Sequence, residues 1–206
     1  MRSNLKGEEV IKEVLELEWE MFTNVRSING RASCQDDRET FLIMRKAQAD
    51  IWSAETLSSY SNDLRSAKHD KINLMAIKYA RMMEVTFPEE YSELKNQLPP
   101  VSPRIRDLVL EIVKYHLEWS MEASDRYPKL FTLGRPVSGN LNRSNSIENY
   151  LKSELLTYSV DTLELCLKDT IEAANKGINL SLEILKNTAA GYGFDSLEEI
   201  EKRLSV

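Results

Sequence analysis

Two hundred and six residues are enough to bury a core without disulfide or metal staples. Seven glycines and six prolines, 13 in all, are about half of average usage, which argues against a sandwich or barrel, where turn residues recur roughly every 8–12 positions. With 27 basic against 33 acidic residues and a net charge of -6, the chain has the wrong sign for a general nucleic-acid binder.

In chain order, the first predicted helix covers 8–26. Val10, Val14, Leu17 and Met21 form one stripe, widened by Ile11, Leu15, Phe22 and Val25. Asn29-Gly30 ends it, and a short polar loop, 31–35, follows. Asp36 or Asp37 caps a second helix with Phe41, Met44, Ala47, Ile51 and Trp52 inward. Ser53 starts a third, which fades at His69-Asp70. The stretch 74–85 reads as helix with apolar residues nearly all round (Met75, Ile77, Ala80, Met82, Met83), which predicts a place in the middle of a bundle. A short turn follows at Pro88, and Pro99-Pro100 is the clearest breaker. Ser102 with Pro103 opens a long helix to about 125. Tyr127-Pro128 closes it, leaving a loop over 129–144 that carries Arg135 and Arg143. Asn145 with Glu148 predicts a capping box for one unbroken helix reaching Lys176-Gly177. Two further helices cover 179–190 and the residues after Ser196. The expected fold is therefore all-α, an irregular bundle of about seven helices in a single domain spanning 1–206.

Cys34 and Cys166 lack any metal or disulfide spacing and read as unpaired thiols of a reducing compartment. No apolar leader follows residues 1–6 and no run is long enough to span a membrane. A cytoplasmic protein is the expectation.

Polar residues on apolar arcs are the informative ones. Glu18 sits at the centre of the first stripe, whereas Glu13, Glu16 and Glu20 point away. A carboxylate there is either half of a structural ion pair or a site residue. Gln48 lies in the middle of the second helix's inner face, with Asp37 on the same side and Arg45 at its edge. Asp37 is a cap, a site residue or both. His116 is central to the arc of the helix after Pro103, as a core histidine held by a carbonyl or as a base. Tyr150 and Glu154 belong to a polar strip that a solvated face explains equally well, and Arg81 is placed to pair with Glu84.

Known acidic motifs fall short. Asp36-Asp-Arg-Glu39 has its third acid one residue early for the metal motif of terpene synthases. Glu13-x-x-Glu16 with Asp36-x-x-Glu39 echoes the magnesium-binding pairs of all-α nucleotide pyrophosphohydrolases, but the first pair faces away and the second is in swapped order. No glycine-rich phosphate loop or nucleophile elbow is present.

The segments Glu18-Trp-Glu-Met-Phe22, Gly30-Arg-Ala-Ser-Cys-Gln-Asp-Asp37, Thr40-Phe-Leu-Ile-Met-Arg45 with Gln48 and Trp52, Lys78-Tyr-Ala-Arg-Met-Met-Glu84, Gly134-Arg-Pro136, and Ile147 through Ser159 together resemble a bacterial family, domain-of-unknown-function family 4125. Cys34-Gln-Asp-Asp37 is the most specific part, and Asn29 stands where the family carries a glycine. The resemblance implies no activity. It does imply a helical partner module or a nucleotide-linked enzyme, because some relatives are fused or adjacent to a nucleotidyltransferase-like domain. It coincides with Glu18, Asp37, Arg45, Gln48, Arg81 and Glu154 and passes over His116.

The leading expectation is a polar pocket inside the bundle, lined by Glu18, Asp36, Asp37, Arg45, Gln48, Arg81, Tyr150 and Glu154, with Arg135 on the loop that closes over it. The arginines would fix a small anionic ligand, and Glu18 or Glu154 would be the acid/base candidate. No metal site and no cofactor is assigned. The competing expectation is a non-catalytic interaction module whose buried charges are structural pairs, acting on a nucleotidyltransferase-like protein or on a second copy of itself.

Overall fold

A computed structural model describes residues 2–26, 30–139 and 145–205, with side chains from residue 7 onward in the first stretch. Among the described residues there is no strand. Eleven α-helices follow in order: α1 (Arg2–Thr23), α2 (Arg38–Ala49), α3 (Ala54–His69), α4 (Leu74–Thr86), α5 (Pro88–Leu94), α6 (Pro103–Arg126), α7 (Pro128–Phe131), α8 (Ile147–Leu155), α9 (Val160–Asn175), α10 (Leu180–Gly191) and α11 (Leu197–Arg203). Two 3-10 turns, Ser33–Asp36 and Lys95–Gln97, sit between them.

The all-α class stands, but about seven helices becomes eleven, for local reasons. Pro88 and Pro128 each occupy a first helical position and start short helices, α5 and α7, where a turn and a loop were expected. The long helix expected over 145–176 is two. Its first part stops at Leu155, the chain turns through residues 156–159, and Ser159 caps α9 by accepting the N–H of Thr162. Its cap is Ser146, which accepts the N–H of Asn149, in place of the expected Asn145. Asn29 and Arg143 lie outside the described residues.

Most helix starts carry a side-chain cap. Asp37, Ser53, Asn73, Ser102, Ser146, Ser159, Asn179 and Ser196 each accept a backbone N–H three residues on, each worth about 1 kcal/mol against alanine. At the end of α9, Gly177 takes φ +67° and the N–H of Ile178 reaches back to the Ala173 carbonyl at 2.9 Å.

The packing closes on itself. α1 packs on α3, α3 on α9, α9 on α6, α6 on α10, α10 on α2, and α2 on α1 again. The Met-rich α4, expected in the middle of the bundle, packs on α1, α5 and α8, and α8 packs in turn on α6. The main core runs through this circuit, from Val14, Met21 and Phe22 to Tyr60, Leu64, Leu108, Ile112, Leu155 and Leu163. A second, smaller core lies where α6 ends, around Ala123, Tyr127, Leu182, Leu197 and Ile200. No helix among the described residues is long and apolar enough to cross a membrane.

Candidate functional site

Four helices of different parentage each send a charge to one point inside the main core. Arg45, on the inner face of α2, receives Glu18 from α1 and Glu154 from α8, and Lys78 from α4 completes the group. Glu18 and Lys78 are each only 1% exposed. Such charges are tolerable only if every one is paired and hydrogen-bonded, and these are.

The guanidinium of Arg45 uses every N–H it has. Nε donates to Glu18 Oε2 at 2.8 Å and Nη2 to Glu18 Oε1, a bidentate grip. Nη2 also donates to Glu154 Oε1 at 2.8 Å, and Nη1 to Glu154 Oε2 at 3.1 Å and to Gln48 Oε1. Lys78 Nζ donates to Glu154 Oε2, the Tyr158 hydroxyl to Glu154 Oε1 at 2.9 Å, and the Tyr60 hydroxyl to Glu18 Oε1 at 2.7 Å. Two cations face two carboxylates, so the cluster is neutral.

Electrostatics follow from this geometry. Burial works to raise the Glu154 carboxyl, but Arg45 and Lys78, by charge and by hydrogen bond, hold it well below the usual carboxylate range. Burial likewise opposes the charge on Arg45, and Glu154 and Glu18 hold it above its ordinary value. The phenols of Tyr60 and Tyr158 are pushed well up, first by burial, then by the carboxylate each one serves. Trp52 meets both rings edge-on, at 5.3 and 6.0 Å between centroids, and closes the cluster on that side.

Beside the cluster opens a cleft of about 150 Å³. Arg45 reaches its floor, Phe41, Tyr79 and Tyr150 with Met44 and Met75 form its walls, and Cys34, Asp37 and Thr40 supply polar groups. The Tyr79 and Tyr150 hydroxyls have no hydrogen-bond partner among the described residues. Burial raises the Tyr79 phenol, and the neighbouring Tyr150 and Cys34 add to the rise. Lys78 Nζ lies 3.5 Å from the centre of the Tyr150 ring and the Arg135 guanidinium 4.8 Å from it.

The segment before α2 is built to hold this wall. Gln35 is buried, its amide donating to the carbonyls of Phe22 at 2.8 Å and Val25 at 3.0 Å and accepting the N–H of Ala32. Arg31 clamps the same segment to the end of α1 through the Thr23 carbonyl at 3.0 Å and the Gln35 carbonyl at 2.7 Å. Cys34 is thereby set at the cleft and Asp37 at the start of α2, where it accepts the N–H of Thr40 at 3.0 Å.

Compared with protein-family models, residues 8–202 match the family described as protein of unknown function (DUF4125). The chain belongs to this family. No curated protein and no solved structure matches it.

In this DUF4125 member, the expected site residues divide into three groups. Glu18, Arg45, Gln48 and Glu154 converge as one cluster. Asp37, Arg45 and Tyr150 line the cleft, which Glu18 and Glu154 do not reach, and Arg135 stacks on Tyr150. Asp36 and Arg81 join neither. Asp36, the last residue of the 3-10 turn, is exposed and pairs with Arg31 at 2.8 Å. Arg81 donates to the Pro99 carbonyl at 2.7 Å where a pair with Glu84 was expected, and its Nε is buried without a partner. His116 is buried beside Trp119, away from the cleft. Among the described residues no group of three or more metal-ligating side chains gathers.

Sequence reasoning missed Lys78, Tyr60, Tyr158 and Tyr79. The rule that found Glu18 would have found Lys78, which stands one turn from the buried Met75 and Met82 on the same face of α4. The three tyrosines gave no signal, since a tyrosine at a core position reads as apolar until its hydroxyl's partner is known.

Proposed function

We propose that this protein binds a small ligand in the cleft beside Arg45, using the buried charge cluster as its rigid floor. The observation that carries this reading is that Tyr79 and Tyr150, whose hydroxyls have no partner among the described residues, line one small concavity together with Asp37. Native sites are mostly apolar hollows with a few convergent polar groups, and a volume of that size holds a ligand about as large as benzene. Arg45 acts here as a scaffold. Its donors are spent on Glu18, Glu154 and Gln48, so it does not supply the anion grip expected of it.

A fragment screen read by thermal shift, followed by soaking, tests the reading. A ligand at 100 times its Kd adds about 2.7 kcal/mol, a rise of roughly 5–10 °C for a chain this long. Met44→Trp fills the half-open side of the cleft. It is expected to abolish every such shift and leave the ligand-free melting temperature within about 2 °C. Fragments that bind only elsewhere, or whose shifts survive Met44→Trp, would refute the assignment.

The saturation of Arg45 also favours a second reading, in which the cluster serves stability alone and the protein works as an interaction module for a nucleotidyltransferase-like protein or a second copy. Sedimentation equilibrium separates a stable homodimer from a monomer. A monomer that fails to bind a nucleotidyltransferase encoded alongside it would end this reading.

A further inference from the structure

We propose that the ligand of this cleft is a small organic cation of the alkylammonium class, an inference that rests on the cleft being the binding site. The walls that can face a ligand are aromatic or thioether: Phe41, Tyr79, Tyr150, Met44 and Met75. The one carboxylate among the lining residues is Asp37. An aromatic enclosure with a single acid is how proteins take up quaternary and alkylated ammonium groups, because the negative ring faces attract a weakly hydrated cation that makes no hydrogen bonds.

The charge balance points the same way. Arg45 and Lys78 are matched by Glu18 and Glu154, so the floor is neutral, and Asp37 is the one acid that the lining adds to it. Arg135 and Asp37 are both exposed, so solvent screens both, but only Asp37 is among the lining residues. The start of α2 would otherwise attract an anion. Here it is already answered by Asp37, which accepts the Thr40 N–H, and by Glu39 in the first turn. Tyr150 has its ring against the Lys78 ammonium, a contact of the type the ligand would repeat on Phe41 and Tyr79.

Three compounds of nearly one shape decide it: choline, its neutral carbon isostere 3,3-dimethylbutan-1-ol, and the anion 3,3-dimethylbutanoate. Each is titrated calorimetrically into the full chain and into Asp37→Asn. Asparagine keeps the cap on α2 and removes only the charge. Choline is expected to bind and the other two not, with choline about tenfold weaker in Asp37→Asn at unchanged melting temperature. Tyr79→Leu is expected to weaken choline, since it removes the ring face that carries the attraction. Binding of the alcohol or the carboxylate as tight as choline overturns the cationic ligand and leaves the cleft standing as a site. Binding by none of the three, with no fragment found in the cleft, removes both.

Discussion

Arg45 is held by two carboxylates and an amide, and that makes it the residue whose loss should be felt most. Truncation to methionine leaves Glu18 and Glu154 facing each other in the core, and breaking a buried pair in this way costs about 3–5 kcal/mol. Lys78→Met is expected to cost less, because Glu154 retains Arg45 and Tyr158. Urea denaturation of both variants checks the order, and equal losses would contradict it. His116 gives a second test at this scale. Burial lowers its imidazole from 6.5 to about 4, so between those values the unfolded chain binds a proton that the folded one refuses. Stability is full above pH 6.5 and falls as the pH drops toward 4, by about 3 kcal/mol. Glu154 acts in a lower window, its contribution being present above about 4.5 and lost as the pH falls below that. His116→Leu should flatten the urea midpoint between pH 6.5 and 4.5 and leave the steeper acid limb in place. At this scale the sequence was readable wherever one polar residue interrupted a clear apolar stripe, as Glu18 and Gln48 do. It was silent where the polar atom sits at the tip of an aromatic ring, as in Tyr60, Tyr79 and Tyr158.

Helices α2 and α10 meet at a point where there is no room to spare. A Cβ on Gly191, at the end of α10, would lie 2.6 Å from Ile43 Cγ2. Ile43 is β-branched and cannot swing aside freely. Gly191→Ala is therefore expected to destabilise by about 1–3 kcal/mol, and Gly191→Ala with Ile43→Ala to recover most of that loss. A double-mutant cycle measures the coupling, and additive effects would mean the helices are not in register here. The end of the helix expected over 179–190 was legible, but the contact at Gly191 was not, since no local pattern shows which side chain crosses it. Element boundaries followed the same logic. The caps Asp37, Ser53, Ser102 and Ser196 were visible, whereas Asn73, Ser146, Ser159 and Asn179 were not, and α3, α4 and α6 begin and end within about two residues of expectation. The turn at residues 156–159 was not. Leu155, Leu156 and Tyr158 keep the helical spacing of apolar residues straight through it, and the chain breaks there because α8 packs on α4 and α6 whereas α9 packs on α3 and α6.

Across the whole molecule, stability is unevenly distributed. The circuit from α1 through α3, α9, α6, α10 and α2 has no free end, whereas α7 and α11 hold on through the smaller core and a few polar contacts, such as Glu201 accepting the N–H groups of Lys129 and Leu130. Hydrogen exchange should show α7 and α11 opening locally, at free energies below those of α3, α6 and α9. A single exchange rate shared by all of them would mean that the two cores unfold together. The all-α class was readable from glycine and proline scarcity together with the helical spacing of apolar residues in each segment. The closed order of the helices was not, because each pairing depends on which faces meet and not on the pattern of either helix. That order has a consequence for synthesis on the ribosome. Glu18, Arg45 and Lys78 emerge first, carrying one positive charge more than they can neutralise, and the missing carboxylate lies 109 positions beyond Arg45. A nascent chain that has not yet reached Glu154 cannot seal this interior without stranding a cation there. Helices α1, α2 and α4 are therefore expected to stay open until α8 leaves the exit tunnel.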